Sequence, residues 1–109
     1  MDWIHDVSYF FGGCLLANAI PHLVSGTTGQ AFQTPFAKPP GKGLSSSTVN
    51  VLWGAFNLIV GYLLIFRVGA FDLRNTADMM AAGVGGLAIS LHAARHFGQF
   101  HGGNPPRKP

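Results

Sequence analysis

The sequence predicts an all-α integral membrane protein, a three-helix bundle, on the strength of three observations. The stretch between Asp6 and Lys38, and those from Thr48 to Phe66 and from Met79 to Ala94, hold no Asp, Glu, Lys or Arg. Each contains an apolar run near or above the ~18 residues at which a spanning helix becomes the default reading. Only 10% of residues are charged, against about 25% in an ordinary soluble domain. Glycine is abundant at 15 residues and aromatics make up 12%, which suits close helix packing and ring-rich interfaces in lipid. A soluble bundle would leave too little polar surface around such a core.

The segment Met1-Asp2-Trp3-Ile4-His5-Asp6 has no basic stretch, so it does not read as a secretory signal. The first helix is expected over 4–24, with Pro21 near its end, where a missing N–H frees a backbone carbonyl. A Gly/Pro/Ser-rich loop follows over 25–47. Its Phe32 and Phe36 are expected to hold it to the membrane surface, and Lys38 to Gly43 to run extended, because residues before proline avoid the helical region. Ser47 or Thr48 caps a second helix over 48–66. A polar turn carries Asp72, Arg74 and Asn75, and Asn75 with Asp78 forms a capping box for a third helix over 77–97. The basic tail 98–109 has no predicted structure. The whole reads as one transmembrane domain.

Lysine and arginine counts give the orientation. Lys38, Lys42, Arg95, Arg107 and Lys108 fall on one side, Arg67 and Arg74 on the other. Cytoplasmic loops carry the excess of basic residues, so the N-terminus is expected outside and the C-terminus in the cytoplasm. All four acids, Asp2, Asp6, Asp72 and Asp78, then lie on the outer side.

The chain has no glutamate. No carboxylate is therefore expected in mid-membrane, which disfavours carboxylate-bridged metal pairs, paired-carboxylate hydrolysis, zincin chemistry and proton paths through a buried acid. Enzymatic acid/base equipment is thin. Histidine supplies the positive candidates. His22, His92, His96 and His101 all lie toward the cytoplasmic end, and His92 and His96, four apart, share one helix face. His22 falls at matching depth on the first helix, with Asn18 one turn above it. Two helices presenting imidazoles at equal depth suit a b-type haem, or a transition metal bound by His22, His92 and His96. Arg95 is placed to hold a haem propionate, a quinone oxygen or a lipid phosphate. The competing reading is interfacial histidines, favoured near helix C-termini by the dipole. His5 sits at the opposite side.

Two packing stripes stand out. Ala82, Gly86, Ser90 and Ala94 recur every four residues, and Asn50, Gly54, Asn57 and Gly61 recur at alternating spacings of four and three. Both suit close helix contact within the chain or with another chain, and Asn57 should hydrogen-bond across to a neighbouring helix. Gly41-Lys42-Gly43 lacks the spacing of a P-loop, and its lysines suit anionic headgroups better than nucleic acid. A single cysteine, Cys14, permits no internal disulfide.

Pro21-His22, the run Thr34-Pro35-Phe36-Ala37-Lys38-Pro39-Pro40-Gly41 and Val51-Leu52-Trp53-Gly54 resemble a family of short, uncharacterised bacterial membrane proteins, over about a third of the chain. The resemblance implies a bacterial inner-membrane location and no activity. Three functions follow as expectations. The first is a small accessory or structural subunit, or a self-associating protein, among other membrane subunits or its own copies. The second is a haem- or metal-binding protein in quinone-linked electron transfer. The third is an oligomeric transporter of a small solute.

Overall fold

The computed structural model describes residues 3–105. Asp2, Arg107 and Lys108, used above to orient the chain, lie outside the described residues. The element order is α1 (Trp3–Thr27), β1 (Phe32–Gln33), β2 (Leu44–Ser45), α2 (Ser47–Phe66) and α3 (Thr76–His101). All three helices are long and apolar enough to cross a membrane.

The three expected helices are present and lie as a layer, with α1 in the middle. α1 packs against α2 on one side and α3 on the other, while α2 and α3 share no packed face. The overall extents of 50 × 36 × 22 Å reflect this flatness. Backbone contact dictates the order, since α1 offers glycine to both neighbours. A Cβ at Gly12 would lie 3.0 Å from the Gly61 carbonyl oxygen, and one at Gly13 would overlap the Ala82 carbonyl. From α3, a Cβ at Gly85 would overlap the Phe10 carbonyl.

The α1–α2 seam is antiparallel and holds most of the interior. The buried residues of α2 are Asn50, Gly54, Asn57, Gly61 and Ile65, one stripe at helical spacing. Gly54 lies against Leu23 and Gly61 against Leu16. Polar groups on the seam are paired: Ser8 Oγ donates to the Leu64 carbonyl at 2.6 Å, and Asn18 Nδ2 to Asn57 Oδ1 at 3.1 Å. Asn57 in turn donates to the Trp53 carbonyl at 2.8 Å. The α1–α3 contact is parallel. Of α3 only Gly85 and Gly98 are buried, and the Cys14 thiol donates to the Gly85 carbonyl at 3.2 Å.

Several boundaries differ from expectation for local reasons. Ser46, one residue earlier than expected, caps α2 by accepting from the Val49 N–H at 3.2 Å. Asn75 caps α3 by accepting from the Asp78 N–H, but the Asp78 carboxylate accepts from the Asp72 N–H and so fixes the preceding turn, leaving half a capping box. α1 continues through Pro21 to Thr27, where Thr27 and Thr28 hydroxyls donate back to the carbonyls of Leu23 and Val24. α3 runs to His101, into the tail expected to be unstructured, and Gly102 ends it in the left-handed region (φ 78°), with the Gly103 N–H on the Gly98 carbonyl. Asn104 Nδ2 donates to the Arg95 carbonyl at 3.0 Å and covers Gly98.

The loop is also tighter than the sequence suggests. Lys38 to Gly43 is a succession of turns, not an extended run: Lys42 and Gly43 N–H groups both donate to the Pro39 carbonyl, and Gly41 adopts φ 73°. Phe32 does not lie outward at a surface. It pairs β1 with β2 opposite Ser45 and turns its ring toward α1 and α3.

Candidate functional site

The loop between α1 and α2 folds across the end of the layer and meets the C-terminal end of α3. Three of the predicted histidines lie there, each committed to holding the loop. His22, on α1, is 2% exposed and its Nδ1 lies 2.7 Å from Asn50 Oδ1. Asn50, fully buried on α2, uses its amide N–H groups on the carbonyls of Phe32, Ser45 and Ser46 at 3.0–3.2 Å. Its oxygen must therefore be the acceptor, and His22 Nδ1 carries the proton. One side chain thus ties α1, β1, β2 and the cap of α2 together.

His96 donates from Nε2 to the Gly41 carbonyl at 2.6 Å, since a carbonyl can only accept. His101 stands 2.8 Å from Gln33 Oε1 and stacks on Phe32, with ring centroids 4.9 Å apart. The Thr34 and Ser45 hydroxyls bond each other beside the strand pair, and Thr34 is 1% exposed. Around His22 the rings of Phe32, Trp53 and Phe97 stand edge-on at 5.5, 6.4 and 6.1 Å.

This geometry does not assemble the ligand set His22, His92 and His96. Among the described residues no three His, Cys, Asp or Glu side chains come together as a metal group. His92 is exposed and stacks only on His96, at 6.1 Å between centroids, while His22 lies on the far side of Phe97. His22 and His96 each donate from one ring nitrogen to a different partner, Asn50 and the Gly41 carbonyl, which turns the two rings to separate parts of the loop. Arg95 is exposed, and only its backbone carbonyl is engaged, by Asn104.

The predicted packing residues divide between two roles. Gly54, Asn57 and Gly61 lie on the buried stripe of α2. On α3, Ala82 meets Gly13 through its carbonyl and Gly86 lies near the Gly13 carbonyl and Ala17, but Ser90 is exposed. Sequence reasoning passed over Gly13 and Gly85, the closest α1–α3 contacts, although each has a second glycine beside it. It also passed over Asn50 as the centre of the loop site, for which the only sequence signal was a lone amide at the start of an apolar helix.

Between α1 and α3, toward the loop, lies a wedge of about 390 Å³ lined by residues that include Ala17, Asn18, Ser90 and Phe97. At the other end a second cavity of about 400 Å³ is lined by His5, Asp6, Tyr9, Ala70, Asn75, Ala77 and Asp78. Among the described residues Trp53 Nε1 is the one buried side-chain nitrogen or oxygen without a hydrogen-bond partner. Compared with known proteins, the chain matches no family profile, no curated protein and no solved structure.

Proposed function

We propose that the chain is a small structural subunit of a bacterial cytoplasmic-membrane assembly, joining further copies of itself or other subunits through the outer face of α3. The observation that carries this reading is a mismatch between polarity and cover. α3 is the least apolar of the three helices, with mean hydropathy 1.2 against 1.9 for α2, yet it is also the least covered. A helix of that composition gains by exchanging lipid for close protein contact, where small residues let backbones approach. Met80, Val84, Leu87 and Leu91 line its outer face at four- and three-residue spacing, with Gly83 and Ala88 beside them, all exposed. The single layer encloses no passage, and the buried polar side chains of the loop end serve the fold.

In this reading the loop end is cytoplasmic. Lys38, Lys42 and Arg95 cluster there, facing anionic headgroups, while Arg67 and Arg74 lie at the other end with Asp6, Asp72 and Asp78.

Native mass spectrometry after mild detergent extraction tests the proposal. Wild type should appear as multiples of 11.6 kDa or with additional chains bound. Gly83→Leu should collapse this to a single chain with an unchanged unfolding midpoint, because Gly83 is exposed and a Cβ added there meets nothing within 4 Å in the protomer. Gly54→Leu is the wrong probe, since Gly54 packs on Leu23 and its enlargement disturbs the fold. A wild-type spectrum of lone protomers would overturn the proposal.

A further inference from the structure

The wedge between α1 and α3 carries polar groups that the fold leaves unused. α1 and α3 approach most closely at Gly13, Ala82 and Gly85, and the wedge lies between them from Ala17 and Ile89 toward the loop. The opening is closed toward the loop by Phe32 and His101, the latter held on Gln33. Its walls are apolar, and among its lining residues there is no Asp, Glu, Lys or Arg. Its volume of about 390 Å³ falls in the usual range for small-molecule sites, ~300–1,000 Å³.

Three hydrogen-bonding groups border this space near the middle of the helices. Asn18 uses one amide N–H on Asn57, which leaves its second N–H and its carbonyl oxygen. Ser90, exposed on this side of α3, has no hydrogen-bond partner among the described residues, so its hydroxyl does not bond back to the helix. Pro21 has no N–H, so the Ala17 carbonyl lacks its helical donor, and both residues line the wedge. Within the hydrocarbon such groups are costly unless a polar atom meets them.

We propose that the wedge binds one uncharged, lipid-soluble molecule with a ring carbonyl, of the quinone class. Its carbonyl oxygen accepts from Asn18 and Ser90, and its apolar body fills the space between Pro21, Ile89 and Phe97. A phospholipid fits poorly: its acyl chain offers nothing to Asn18 and Ser90, and the wedge lining itself holds no Lys or Arg for a headgroup. The proposal concerns binding alone and does not depend on assembly through α3.

The test is isothermal titration of the detergent-solubilised protein with a benzoquinone bearing a decyl tail. Saturable binding at one molecule per chain is expected. Ser90→Ala should weaken it about tenfold, the worth of one good hydrogen bond. Ala93→Phe, which fills the wedge, should abolish it, and Gly83→Leu on the outer face should leave it unchanged. Thermal unfolding of each variant separates lost binding from lost fold. Absence of saturable binding to wild type, equal affinity for a decyl chain without the ring carbonyl, or indifference to a well-folded Ser90→Ala would each overturn the proposal.

Discussion

Asn50→Ala should cost roughly 3–5 kcal/mol of stability, the largest loss expected from a single polar side chain here. The substitution orphans the His22 Nδ1 proton and takes a side-chain donor from the carbonyls of Phe32, Ser45 and Ser46 at once. A buried group left without a partner costs about 1–3 kcal/mol. The Ser46 carbonyl keeps the Asn50 backbone N–H at 3.0 Å, so the sum falls short of four full penalties. The effect should appear as a lowered midpoint in detergent unfolding and as rapid protease cleavage between Gln30 and Lys42. Asn50→Asp should rescue little, because a carboxylate accepts from His22 but cannot donate to three carbonyls. A wild-type midpoint for Asn50→Ala would show that the ring contacts and the His96 and His101 bonds hold the loop without Asn50.

Gly85→Leu should separate α3 from α1 at a cost of about 3 kcal/mol or more, the upper end for overpacking. The obstruction is backbone: a Cβ at this site overlaps the Phe10 carbonyl, and no rotamer change relieves it. The Cys14 thiol loses its acceptor geometry in the same step. Because α2 packs on α1 independently of α3, the α1–α2 pair should survive. The expected signature is selective: accessibility of Cys14 to a thiol reagent rises steeply while helicity by circular dichroism stays within about one tenth of wild type. Gly86→Ala, by contrast, should be nearly neutral, since its added Cβ would lie at ordinary contact distance, 3.5 Å from the Gly13 carbonyl oxygen.

The helices were legible in the sequence because their cause is local. Uninterrupted apolar runs and the Asn75 cap sit in consecutive residues, and the α2 stripe of Asn50, Gly54, Asn57 and Gly61 follows from helical spacing. The layer arrangement was not legible. It depends on Gly12 facing α2 while Gly13 faces α3, a division that adjacent glycines do not advertise. The loop was misread for the same reason. Proline steric rules describe each residue against its neighbour, but the turns over 38–43 are fixed by Gly41 reaching His96, 55 positions away. The histidine spacing was equally two-sided: i and i+4 place His92 and His96 on one face, but do not say whether that face meets a metal, a loop or lipid. Here His96 turns to Gly41 and His92 stays outside.

The most direct test of assembly through α3 is site-specific photo-crosslinking in native membranes. A benzophenone amino acid in place of Leu87, which is 60% exposed at the centre of the outer face, should give a discrete protein adduct on irradiation. The same residue in place of Leu52, 65% exposed on α2, should give mainly lipid adducts. Lipid adducts alone at Leu87, or equal protein adducts at Leu52, would contradict an interface specific to α3.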